Sequence, residues 1–281
     1  MDSTNAEIAS LQAEFEWLLN EEVGVILNQL NNILFECCRR FPCQKYLPNI
    51  TDNLVQSEKY TMSYTSPNQH DFAKIKATIH GDKITYADIT IRLSKHPTQT
   101  IKTSINATPD GSGGWILYQI QDSMNHLIKA IDLLASPPLR MGNSNKYDFK
   151  SAEEIIQLTN SVMNRLQRSR NSLVVPIKRT IEDSQASHNM QSINPALPLD
   201  VTISFYIQAH NIVCSVYQLT KHPQQGIQIK QELKSEASIP ILSEVLVFLS
   251  LGLQCCQQLK DKVNIFAQYN DLRSSESRIK V

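Results

Sequence analysis

Between Leu242 and Phe266, apolar residues recur in alternating steps of three and four. Leu242, Val245, Leu249, Gly252, Cys256, Leu259, Val263 and Phe266 take the successive a and d positions of a heptad pattern, while Glu244, Gln254, Gln258, Lys260, Asp261 and Lys262 fill much of the remainder. A stripe this narrow is a seam between helices, because a helix half-sunk in a globule shows a wider apolar face. The pattern therefore speaks for assembly and carries no chemistry of its own.

A second long stripe runs from about Ala6 to Arg40. Ile8, Leu11, Phe15 and Leu18 lead into Leu19, Val23, Ile26, Leu30, Ile33 and Cys37, with one slip near Leu18 and Leu19 that interrupts the regular winding. Pro42 is expected to stop this helix, and Arg39 and Arg40 suit the negative end of its dipole. Between the stripes the period changes. Ile75–Ile79, Ile84–Leu93 and Thr100–Ala107 alternate as strands, with His80-Gly81-Asp82-Lys83 as turn material, so an antiparallel meander is expected. Asp110-Gly111-Ser112-Gly113-Gly114 reads as a hinge.

Helix is expected again from about Trp115, with Leu117, Ile120, Met124, Leu127, Ile131 and Leu134 on one face and Pro137-Pro138 at its end. Ser151-Ala152-Glu153-Glu154 is a capping box opening another helix, which carries Ile155, Leu158, Val162, Leu166 and Leu173 and closes before Pro176. Residues 179–194 are aperiodic and read as loop. Asp200–Gln208 and Asn211–Leu219 alternate again, as a hairpin turning near His210 and Asn211 or as one bent strand. Lys95-His96-Pro97 and Lys221-His222-Pro223 close the two strand groups alike, an echo short enough to arise by chance.

The order helix, strands, helix, helix, strands, helix predicts an α+β fold. The expectation is an antiparallel four-helix, leucine-zipper-like bundle from residues 1–45, 112–176 and 237–281. A separate antiparallel β-sheet domain is expected from 46–111 and 177–236.

Composition narrows the function. The chain has 281 residues, and 27 Lys and Arg balance 27 Asp and Glu, so no global field recruits nucleic acid or anionic lipid. Only eight glycines argue against dinucleotide folds and phosphate loops. The adjacent pairs Cys37-Cys38 and Cys255-Cys256, and the polar start Met1-Asp2-Ser3-Thr4, fit reduced thiols without secretion. The apolar run Val245–Leu253, bracketed by Glu244 and Gln254, falls short of the ~20 residues of a membrane span and reads as a buried helix segment. The seven histidines show no zinc-type pairing, the cysteines lack knuckle spacing, and Gly111-Ser112-Gly113 is no nucleophile elbow. Asp122 and His126 form an i,i+4 surface pair. Arg165, Arg168 and Arg170 complement a helix end, with an acidic partner or a phosphoinositide as the alternative. Trp17, Trp115 and Tyr217 read as core or interface anchors. No cofactor, no metal and no catalytic residue is expected.

Several segments in order carry a resemblance. They are Glu14-Phe15-Glu16-Trp17-Leu18-Leu19 with Glu22-Val23, Gln119-Ile120-Gln121-Asp122 with Asn125-His126, Pro195-Ala196-Leu197-Pro198, Val216-Tyr217-Gln218-Leu219, and Gln254 to Lys262. Together they resemble the Rogdi family, the rogdi leucine zipper proteins; residues 44–70 and 222–240 match no pattern of that family. The resemblance implies a helical bundle with a β domain. It also implies a non-enzymatic adaptor of the regulator of vacuolar proton-ATPase assembly (the RAVE or rabconnectin-type complex). The implied partners are large WD-repeat subunits and the peripheral sector of the V-ATPase. The implied location is cytoplasmic, at endomembranes or synaptic vesicles, with the nuclear envelope as a further site. The seam is expected to close within one molecule, giving a monomer inside a hetero-complex. The alternative is a homodimeric coiled-coil scaffold unrelated to the pump.

Overall fold

A computed structural model describes residues 2–41, 57–67, 70–93, 96–97, 100–108, 113–135, 151–176, 180–222 and 226–279. Pro42, Cys43, Gly111, Ser112 and Pro137-Pro138 lie outside them. The chain divides into two compact units. One is made of Met1–Arg40, Met124–Arg170 and Glu244–Val281; the other of Phe41–Ser123 and Asn171–Ser243.

The strand-bearing unit holds two antiparallel sheets. In the larger sheet the order is β1 (Glu58–Thr65), β2 (Phe72–His80), β3 (Lys83–Arg92), β4 (Thr100–Asn106), then β6 (Ile193–Asn194), with β5 (Trp115–Ile116) pairing the start of β3. Its apolar face follows strand alternation: Ala73, Ile75, Ala77 and Ile79 on β2, and Ile101 and Ile105 on β4, are buried. On β3 the alternation breaks, since Ile84 and then Ala87, Ile89 and Ile91 are all buried. The register explains it. Thr78 faces Tyr86 while Ile79 faces Ile84, leaving Thr85 as a bulge that returns both halves of the strand to one face.

The second sheet has the order β7 (Val201–Gln208), β8 (Asn211–His222), β9 (Gly226–Ser238). The 200–219 segment is thus a hairpin, turning through Ala209 at φ 57°. Ile212, Val213, Cys214, Ser215 and Val216 are buried in succession, as suits a central strand covered on both faces. Asp71 accepts a hydrogen bond from Gln231 Nε2 (3.0 Å), and buried His96 shares one with Asp200 through Nε2 (3.0 Å).

In the helical unit, α1 (Asp2–Trp17) and α2 (Val23–Arg40) are joined by a π-helical turn, Leu18–Glu22. Its extra residue is the physical form of the slip near Leu18 and Leu19. Further helices among the described residues are α3 (Tyr118–Leu134), α4 (Ala152–Val174) and α6 (Pro240–Ile279), with the short α5 (Ile181–Gln185) in the strand-bearing unit. Ser151 caps α4 by accepting from the Glu154 N–H (3.3 Å).

The fold is α+β, but the four-helix bundle is not what forms. Among the described residues, nine strands in two sheets, of six and three strands, dominate the architecture. The middle helices are committed partly to them. Gln119 in the first turn of α3 is bonded to Ile207 of β7, and Leu173 in the last turn of α4 accepts from the Ala209 N–H (2.9 Å). Four smaller expectations also change. Trp115-Ile116 is strand before the helix begins, and 179–194 contains α5, a 3-10 turn at His188–Ser192 and β6 in place of loop. Strands β1 and β9 were not anticipated. Finally, Gly113 and Gly114 are no hinge: both have positive φ, and a Cβ at Gly114 would lie 2.7 Å from the Ile84 carbonyl oxygen. They form a tight turn pressed on β3.

Candidate interaction site

The C-terminal stripe lies inside the helical unit. Leu242, which precedes that unit in the chain, is buried, as are Val245, Leu249, Gly252, Cys256, Leu259 and Val263, while Phe266 is half-buried. Opposite runs the first stripe, antiparallel. Cys37 Sγ donates to the Val245 carbonyl (3.9 Å), Cys255 Sγ to the Ile26 carbonyl (3.8 Å), Lys262 pairs with Glu22, and Phe15 stacks on Phe266 with centroids 5.8 Å apart. Each pair sums to nearly the same residue number, as an antiparallel zipper requires. α4 joins at the crossing: a Cβ on Gly252 would meet Leu166 Cδ1 at 3.1 Å, Leu34 Cδ2 at 3.3 Å and Leu30 Cδ1 at 3.6 Å. Only a glycine lets three leucines close over the α6 backbone there.

Within the N-terminal stripe, Val23 and Leu30 are buried, whereas Leu19, Ile26 and Ile33 are half-buried. Their neighbours Leu18, Leu27 and Leu34 take the deepest places. The π turn shifts the helix phase, so the inward stripe after it runs Val23, Leu27, Leu30, Leu34, Cys37. At the far end, Arg40 donates to Glu244 (3.1 Å) and Glu36 (2.9 Å) and lies over the Phe248 ring at 4.9 Å. The hydrogen bond to Glu244 is the largest of the effects that raise its pKa.

Three of the thiols are kept protonated by their environment. Burial pushes Cys256 up to about 12 and raises Cys255 and Cys214 as well. Among the described residues no group of three or more His, Cys, Asp or Glu is placed to hold a metal ion. His126 is half-buried and Asp122 exposed on α3. Pro240–Phe266, with mean hydropathy 1.4, is long and apolar enough to cross a membrane by length and composition, more than the nine-residue run suggested. One such helix is weak testimony, because the core helix of a water-soluble protein passes the same test.

A cleft of about 380 Å³ opens in the strand-bearing unit, lined by Trp115, Tyr118, Phe205, Tyr206, Tyr217 and Ile229, with Asn189, Thr202 and Ser204 supplying polar atoms. Its frame is rigid. Trp115 meets Phe205 edge-on at 5.2 Å and 71°. Asn189 accepts from the Ile116 N–H (3.0 Å) and donates to the Ile116 carbonyl (2.9 Å). Gln119 Nε2 donates to the Ser172 and Ile207 carbonyls (2.9 and 2.8 Å), and its Oε1 accepts from the Ile207 N–H (2.7 Å). Burial raises the Tyr217 phenol's pKa. A second cleft of about 580 Å³ adjoins Leu199, which is 90% exposed, and Ile227. Aromatic, concave and rigid, the first cleft has the composition of a protein-recognition hot spot. Sequence reading flagged Trp115 and Tyr217 as anchors and missed the rest, because the cleft is assembled from segments about 90 residues apart. Trp17, the third anchor, is 56% exposed.

Residues 14–235 match the family model described as Rogdi leucine zipper containing protein. "Protein rogdi" of Drosophila melanogaster is 40% identical over 270 residues, 96% of this chain and 93% of that protein. The "Protein rogdi homolog" of Danio rerio is 32% identical over 96% of this chain and 98% of its own length, and that of Homo sapiens is 32% identical over 96% of each. The family model runs from within α1 to within β9, taking in the N-terminal stripe and the aromatic cleft, and the relatives cover 96% of the chain: the chain belongs to the Rogdi family.

Proposed function

We propose that this chain is a non-enzymatic adaptor subunit of the RAVE or rabconnectin-type regulator of vacuolar proton-ATPase assembly. In this reading it works in the cytoplasm at endomembranes or synaptic vesicles, as a monomer within a hetero-complex. Large WD-repeat subunits and the pump's peripheral sector are its partners. Family membership along nearly the whole chain is the observation that carries the reading. Two structural features support an adaptor role. The zipper stripe is occupied from within the chain, so it leaves other surfaces to meet a partner. The aromatic cleft offers Tyr206, Tyr217 and Ile229 as anchors in a frame that needs little reorganisation on binding.

The test is affinity purification of the full chain from native cytosol, read by mass spectrometry. Recovery of WD-repeat rabconnectin-like chains with peripheral pump subunits is the expected result. Tyr206→Ala with Tyr217→Ala should reduce that recovery without unfolding the protein. Consistent absence of both partner classes would overturn the assignment.

A further inference from the structure

The hydrophilic face of the larger sheet has segregated its charge. Registered across four strands, the outward residues are Lys59, Thr61, Ser63 and Thr65 on β1, Phe72, Lys74, Lys76, Thr78 and His80 on β2, Lys83, Tyr86, Asp88, Thr90 and Arg92 on β3, and Thr100, Lys102, Ser104 and Asn106 on β4. Five exposed cations, with half-buried Lys83 as a sixth, stand against the single carboxylate of Asp88, on a chain whose overall balance is zero. Thr90 lies between Lys74 and Lys102, and Arg92 is the next outward residue along β3, so three cations crowd one hydroxyl. Lys59, Lys74, Lys76, Arg92 and Lys102 are all exposed, and none makes a hydrogen bond or ion pair among the described residues. Lys76 stands opposite Asp88, but Arg92 lies diagonal to both Lys74 and Lys102 with no carboxylate beside them, an excess of like charge that opposes folding. Its presence calls for an anionic occupant.

We propose that this face docks on the surface of an anionic lipid bilayer. The argument is charge complementarity combined with shape. The cations spread in two dimensions, over about 14 Å across the strands and about 20 Å along them. Neither cleft is lined by any of them. An extended acidic peptide would engage one row and leave the others unpaired, whereas a plane of headgroups meets all five together. Threonine and serine hydroxyls between the cations add donors for phosphate oxygens. The proposal is independent of the adaptor reading, because it concerns a surface that reading does not use.

The experiment is co-sedimentation of the full chain with vesicles of phosphatidylcholine, alone or with about one-third phosphatidylserine. Binding is expected to the anionic vesicles only. It should fall steeply as salt rises from about 0.1 M to about 1 M, where the screening length drops from about 10 Å to about 3 Å. Each basic residue near such a surface is worth about a fivefold change in partition. Lys74→Gln, Lys76→Gln, Arg92→Gln and Lys102→Gln together should therefore weaken binding by at least about a hundredfold. A control with the same change in net charge, Lys129→Gln, Lys221→Gln, Lys230→Gln and Lys260→Gln, should lose far less. Should the fourfold face variant fail to fold, Lys74→Gln with Lys102→Gln alone is expected to show about a 25-fold loss. Equal losses in face and control variants, salt-insensitive binding, or no binding to anionic vesicles would each overturn the proposal. So would capture of a polyglutamate peptide by this face in the absence of vesicle binding.

Discussion

Replacing Gly252 by valine tests the helix crossing most directly. Three leucines, all at most 1% exposed, converge within 3.1–3.6 Å of where the first added carbon would sit. Two further methyl carbons would then need space that is already filled. Overpacking a closed core costs about 1–3 kcal/mol. Removing a helix-interior glycine returns less than about 1 kcal/mol of backbone propensity, since valine is itself a modest helix former. The crossing term wins, and a net loss of about 1–2 kcal/mol is expected, which lowers Tm by about 2–8 °C in a protein of this size. The same geometry predicts a compensation. Leu166→Ala alone should cost about 2–5 kcal/mol as a cavity mutation, but in the valine background its cavity receives the new methyls. The double mutant should be more stable than additivity predicts by about 1 kcal/mol or more. Differential scanning calorimetry on the four proteins of the cycle reads this out. A valine variant as stable as the parent, or strictly additive losses, would refute the close crossing.

Gln119→Leu leaves the Ile207 N–H and carbonyl and the Ser172 carbonyl without their partner, so a loss of about 2–4 kcal/mol is expected in urea titration; an unchanged midpoint would contradict the clasp. Gly114→Ala forces a Cβ to 2.7 Å from a main-chain oxygen at φ 76° and should destabilise by about 1–3 kcal/mol, whereas Gly24→Ala, where nothing lies within 4 Å, should not destabilise. The buried Cys256 thiol gives a pH dependence. Its folded pKa is raised to about 12 from the usual 9.0, so its contribution is complete below pH 9 and is lost as pH climbs toward 12. Cys256→Ala should flatten the alkaline fall in stability, and an identical fall in both proteins would count against the burial.

What the sequence disclosed depended on how local each signal was. The C-terminal stripe, the Ser151 cap and the β2–β3 turn are written in neighbouring residues, so period and capping chemistry revealed them. Strand β9 escaped because its outward positions are a polar run, Gln228 to Glu236, and only Leu233 and Ser235 are buried. A strand at the margin of a small sheet needs little apolar alternation. The bundle expectation failed because period tells which face of a helix is apolar and not what covers it; α3 and α4 give their ends to the sheets through Gln119 and Leu173. The aromatic cleft and the cationic sheet face were invisible for one reason. Both are made by strand register and by chain segments distant in sequence, and a net charge of zero conceals how its parts are distributed.

The π turn at Leu18–Glu22 has a consequence for how chains of this kind can vary in length. It stores one surplus residue in the middle of an otherwise continuous rod. Excising a single amino acid there would let ordinary winding run straight through; because the wider turn takes about one more residue per revolution, the sixteen residues before it and Val23 onward would both keep the faces they present now. Length can thus change by one codon at this point without disturbing the contacts on either side of it.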